Sequence, residues 1–119
     1  MKFYRCKKCP NLVIKLSVGA CTPRCCGEEM DVLEPNTQEA AVEKHKPVLV
    51  EEDGKYYAVV GSTLHPHTPE HYIDWVLAEY EDHYSVYPLG ADKEPKAELE
   101  KKPSALYAYC NLHGLWKND

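Results

Sequence analysis

A chain of 119 residues, 44% hydrophobic and 28% charged, can form one ordinary domain, or one domain beside a small metal-stapled unit, and is globular rather than disordered. Its formal net charge of −5 argues against binding nucleic acid by neutralising phosphates. No apolar run is long enough to cross a bilayer and residues 1–9 lack the apolar core of a signal peptide, so the expected location is the cytoplasm, away from membranes.

Cytoplasmic thiols stay reduced, so cysteines there serve more often as metal ligands than as disulfides. Five of the six cysteines lie between Cys6 and Cys26, in a stretch too short to bury much of a core unaided. Cys6-Lys7-Lys8-Cys9 is a C-x2-C knuckle, and the adjacent pair Cys25-Cys26 could complete a four-sulfur site for iron or zinc. Neighbouring cysteines start about 3.8 Å apart at Cα, so both reach one metal only if the backbone turns sharply there. A structural zinc knuckle or simply buried cysteines would produce the same pattern, and spacing does not separate iron from zinc. Cys21 is separated from Cys25 by the chain-restricting Pro23 and reads as a spare thiol. The polar segment Glu34-Pro35-Asn36-Thr37 reads as a joint.

Beyond the joint the chain reads as mainly β. Residues 47–52 and 55–61 flank Asp53-Gly54, a hairpin signal, and 84–87 and 105–109 are further strand candidates of a two-sheet sandwich. Residues 71–80 are ambiguous, because Ile73, Val76, Leu77 and Tyr80 also fit one helical face.

Histidines punctuate this second part. His45 precedes Pro47 and the hairpin. His65 and His71 enclose Pro66 and Pro69, which exclude a continuous helix and put the pair on a loop. Cys110-Asn111-Leu112-His113 sets a thiol and an imidazole on one turn. Singly, each is a weak signal that packing or surface exposure explains as well. Together they would suit a redox metal, with neutral imidazoles and one electron-donating thiolate. Blue copper is the competitor, but it uses a weak axial methionine near the last histidine, and the only methionines are Met1 and Met30.

In this order the motifs resemble the desulfoferrodoxin family of superoxide reductases. Cys6-x2-Cys9 with Cys25-Cys26 is similar to a desulforedoxin-type iron centre. Glu43-Lys44-His45-x-Pro47, His65-Pro66, His71-Tyr72-Ile73-x-Trp75 and Cys110-Asn111-Leu112-His113-Gly114 are similar to the catalytic centre. The resemblance implies a small desulforedoxin-like metal domain over 1–36 and an immunoglobulin-like β-sandwich over 37–119, and it favours a strand over 71–80. It implies two iron ions per chain: an Fe(Cys)4 centre on Cys6, Cys9, Cys25 and Cys26, and an Fe(His)4(Cys) centre on His45, His65, His71, His113 and Cys110. It further implies one-electron reduction of superoxide to hydrogen peroxide, re-reduction by a rubredoxin-like donor, a homodimer, and an anaerobe's defence against oxidative stress. Lys44 matches the lysine that attracts the substrate, and Glu43 the carboxylate that can occupy the sixth position of oxidised iron. Lys46 carries the same charge two residues beyond Lys44. His67 stands where the family commonly has methionine, Cys21 is an additional thiol, and His83 matches no ligand position.

Overall fold

Two tight turns with the same backbone signature shape the two parts of the chain. Cys26 and Gly27 have φ of 52° and 79°, and Asp53 and Gly54 have φ of 51° and 75°: consecutive left-handed residues, as in two-residue hairpins of the I′ kind. The computed structural model describes residues 1–17 and 19–119, which form two units, Met1–Glu34 and Pro35–Asp119.

In the first unit, β1 (Lys2–Arg5) lies between β2 (Leu12–Lys15) and β5 (Asp31–Leu33), all antiparallel. The Cys26-Gly27 turn joins the two-residue strands β3 (Arg24–Cys25) and β4 (Glu28–Glu29). The apolar cluster here is small: Tyr4, Cys6 and Met30 are buried, with Cys9, Val13 and Cys25 packed against them. A core of that size leaves much of the ordering to whatever the thiols hold.

The second unit is a sandwich. The Asp53-Gly54 turn pairs β6 (Pro47–Glu52) with β7 (Lys55–Val60), and β10 (Lys96–Leu99) pairs with the other side of β7. The facing sheet contains β8 (Ile73–Glu79), β9 (Tyr84–Pro88), β11 (Ala105–Cys110) and β12 (Gly114–Lys117) in the order β12-β11-β8-β9. Ala58, Val60 and Leu99 from one sheet meet Ile73, Val76, Ala78, Leu106, Ala108 and Cys110 from the other. Full burial of a Val, Leu or Ile side chain is worth about 1.5–3 kcal/mol, so this interface dominates the unit's stability.

The expected hairpin and strands are present, and the ambiguous segment is a strand. Its helix-like spacing has a local cause. Cys110 pairs with Ile73 while Tyr109 pairs with Trp75, so Asp74 is an extra residue in β8. This bulge shifts the in–out alternation by one: Ile73 faces the core, then Val76, Ala78 and Tyr80 do.

One helical turn, α1 (Val42–His45), precedes β6. It stops there because Pro47 disfavours helical backbone at Lys46, which is extended at φ −68° and ψ 126°.

Candidate metal centres

The four thiols of the first unit converge as their local turns require. Lys8 N–H donates to Cys6 Sγ at 3.4 Å, closing the C-x2-C knuckle. Left-handed backbone at Cys26 supplies the sharp turn that an adjacent pair needs, leaving the Cys25 and Cys26 sulfurs 3.9 Å apart. Cys9 Sγ lies 3.7 Å from Cys25 Sγ, and all four sulfurs fall within 4.8 Å of one another. The backbone N–H of Lys8, aided by that of Cys9, lowers the Cys6 thiol to about 6. The neighbouring sulfurs of Cys6, Cys9 and Cys25 push Cys26 up to about 12. One thiolate therefore resists the next, and four together require a cation. The donor set fits a tetrahedral thiolate metal site. Cys21 is exposed and stands outside this group.

In the second unit His45, His71, Cys110 and His113 place one donor atom each within 4.8 Å of one another. His65 adjoins them, its ring centroid 4.5 Å from that of His71 and 4.8 Å from that of His45. His45 comes from α1, His65 and His71 from the loop before β8, Cys110 from the end of β11, and His113 from the β11–β12 turn. Cys110 continues the inward row of Leu106 and Ala108 to the end of β11, where its fully buried sulfur lies beside the histidines.

The rings are held by their outer nitrogens. His45 Nδ1 donates to Ala41 O and His65 Nδ1 to Pro66 O, each at 2.7 Å. That choice of tautomer leaves Nε2 of each ring as a lone-pair donor facing inward. Nε2 of His65 and Nε2 of His71 are buried without a hydrogen-bond partner among the described residues. A buried, unpaired imidazole nitrogen is costly unless something binds it. Burial lowers the pKa of His45, of His71, and of His65 to about 4, so these rings are neutral at pH 7. Burial pushes the Cys110 thiol up, so without a cation it stays protonated. Neutral imidazoles, orphaned nitrogens and one shielded thiol fit a bound metal of the iron or copper kind. Both methionines, Met1 and Met30, belong to the first unit, so the second unit has none of its own to serve as an axial ligand of the blue-copper type.

The family model described as Desulfoferrodoxin matches residues 37–119. The chain belongs to the desulfoferrodoxin family. A desulfoferrodoxin homolog of Archaeoglobus fulgidus is 40% identical over 99% of this chain and 96% of its own length, and a desulfoferrodoxin of Desulfarculus baarsii is 35% identical over 98% and 94%. The crystal structure of the superoxide reductase from Treponema pallidum aligns with a TM-score of 0.78 at 28% identity, covering all of both chains. The two donor groups match the two iron centres of desulfoferrodoxins.

Glu43 and Lys44 are exposed on α1. The Lys44 charge helps to lower His71, and the Glu43 carboxylate acts on His45 in the opposite sense, so both lie within electrostatic reach of the rings. Lys46 is not an equivalent of Lys44: its Nζ is 2.7 Å from Asp119 Oδ1, which neutralises it. His67 is exposed and stands outside both donor groups. So does His83, held between Glu100 and Asp82, whose carboxylates raise its pKa. Sequence reasoning assigned no role to Trp116, which is buried, stacks on His45 at 5.1 Å, and donates through Nε1 to His113 O at 3.0 Å. The Trp116 indole thus braces two of the four rings, and only its proximity in the folded chain shows it.

Proposed function

We propose that this protein is a superoxide reductase, adding one electron and two protons to superoxide to give hydrogen peroxide. The observation that carries this reading is the convergence of four histidines and Cys110, with Nε2 of His65 and of His71 buried and satisfied by no described residue. Iron, when bound there, would supply the redox electron, and the thiolate would raise its tendency to give that electron up. His45, His65 and His71 act as neutral donors, kept so by burial, carbonyls fix the outer nitrogens of His45 and His65, and His113 completes the set. Cys110 holds its sulfur away from water. Lys44 draws the anionic substrate toward the histidines, Glu43 fills the exposed face after turnover, and protons come from solvent. Cys6, Cys9, Cys25 and Cys26 hold the second iron. A small rubredoxin-like protein returns the electron, and two chains associate as a homodimer in the cytoplasm.

Anaerobically reduced, iron-loaded protein mixed with pulse-generated superoxide is expected to form one peroxide per superoxide and no dioxygen. Evolution of dioxygen would make the reaction a disproportionation, and a colourless metal-loaded protein would point to zinc; either outcome sinks the reading.

Lys44→Ala is expected to slow the second-order reaction about tenfold at low salt and to flatten its dependence on ionic strength. The chain is acidic at −5, so a local cation must offset long-range repulsion of an anionic substrate. Such a field fades over a Debye length of about 8 Å at physiological salt. Lys46→Ala combined with Asp119→Asn removes a pair that is already neutral, and should leave the rate and its salt slope in place. If the two variants behave alike in stopped-flow measurements, Lys44 is general surface charge.

A further inference from the structure

Three of the four clustered imidazoles have a visible brace. Carbonyl oxygens hold the outer nitrogens of His45 and His65, and the Trp116 indole holds the carbonyl of His113. Among the described residues His71 has a buried Nε2 without a partner, and its hydrogen bonds run through its backbone, to Thr68. The residues on either side of it are gripped by one side chain from another strand end. Asn111 Nδ2 donates to Glu70 O at 3.0 Å, and Tyr72 N–H donates to Asn111 Oδ1 at 2.8 Å. The Asn111 backbone N–H donates to Tyr72 O at 3.1 Å.

We propose that Asn111 is the positioning residue for His71, clamping Glu70 and Tyr72 so that the imidazole is presented to the centre that also holds Cys110 and His113. The regular pairing of β8 with β11 ends at Ile73 and Cys110, just past the bulge, and the Asn111 N–H to Tyr72 O bond is the backbone link that follows it among the described residues. The carboxamide supplies the rungs beyond it. It alone among uncharged side chains of its length offers both the donor that Glu70 O needs and the acceptor that Tyr72 N–H needs. Because Asn111 is next to Cys110, the clamp ties the position of one proposed ligand to the backbone of another.

The bland alternative is that asparagines simply finish strands here, and the chain contains the control. Asn118 makes the same reciprocal pair with Leu106: Leu106 N–H donates to Asn118 Oδ1 at 2.9 Å and Asn118 N–H to Leu106 O at 3.1 Å. That pair sits at the opposite end of β11 from Cys110 and flanks no histidine.

The inference rests on the ligand set proposed above, and wild-type protein tests that first: iron-loaded wild type lacking a thiolate-to-iron band would overturn the ligand set and this proposal with it. Given the band, Asn111→Ala is expected to shift it, broaden the electron paramagnetic resonance of the ferric centre, and speed loss of that iron to a chelator about tenfold or more, the usual scale for outer-shell supports. Absorption of the four-sulfur centre should stay as in wild type. Asn118→Ala should lower the melting temperature and leave the band and the iron retention unchanged. If Asn111→Ala lowers only the melting temperature, Asn111 is a strand-ending residue and the proposal fails. Should Asn111→Ala not fold, Asn111→Asp carries the test, since it keeps the acceptor for Tyr72 and loses the donor to Glu70. A wild-type band and wild-type iron retention in Asn111→Asp overturn the clamp; a shifted band with faster iron loss supports it.

Discussion

Cys110→Ser is expected to abolish the visible band of a thiolate–iron bond and nearly all superoxide reduction. Cys110 is fully buried at the end of β11, in the inward row of Leu106 and Ala108 and beside the histidines. A serine there would have nearly the same shape, so the sandwich should fold. The change is chemical: a hydroxyl is a hard, weakly acidic donor that does not replace a soft thiolate on a redox metal. The four-sulfur centre provides an internal reference, because Cys6, Cys9, Cys25 and Cys26 form their own group in the other unit. Its absorption should persist while the Cys110 band disappears. Retention of both the band and the activity would show that Cys110 is not bound to the metal.

Gly61→Ala is expected to cost about 2–4 kcal/mol of stability, through left-handed strain and steric overlap together. Gly61 has φ of 87°, where an L side chain is strained. A Cβ built there would lie 2.3 Å from Thr63 O, 2.8 Å from Glu43 O and 2.9 Å from the Lys44 carbonyl carbon. All three are backbone atoms, so relief requires moving α1. The same contacts hold α1 in place: Gly61 N–H donates to Lys46 O and Thr63 N–H to Glu43 O, each at 2.9 Å. For a unit of this size such a loss lowers the melting temperature by about 10 °C or more. Displacing α1 also displaces His45 and Lys44, so iron retention and the salt dependence of the superoxide reaction should change together. A variant with wild-type melting temperature would show that the 61–63 loop yields easily and does not anchor α1.

How much of this was legible beforehand depends on the range of the interaction involved. The Asp53-Gly54 hairpin was readable because left-handed turn residues act within two positions. The need for a sharp turn at Cys25-Cys26 followed from bond geometry alone, and Cys26-Gly27 supplies it. β10 escaped notice because Lys-Ala-Glu-Leu has no β-branched or aromatic residue; only pairing with β7 and burial of Ala97 and Leu99 make it a strand. β8 was ambiguous because the bulge at Asp74 breaks the alternation by which strands are recognised, putting Ile73 on the inward face with Val76, Ala78 and Tyr80.

By itself the sequence determined the local devices of this protein: the C-x2-C knuckle, the two-residue turns, the proline-interrupted loop between His65 and His71, and the end of α1 before Pro47. Each is set by sterics or hydrogen bonding among residues a few positions apart, which any conformation of the chain must obey. Tertiary structure alone decided that His45 and His113, 68 residues apart, come within 3.0 Å, that Trp116 stacks on one and braces the other, and that Asp119 neutralises Lys46 while Lys44 stays exposed. Those outcomes depend on which sheet faces which and in what register, and register is chosen by burial of the whole sandwich core rather than by any one motif.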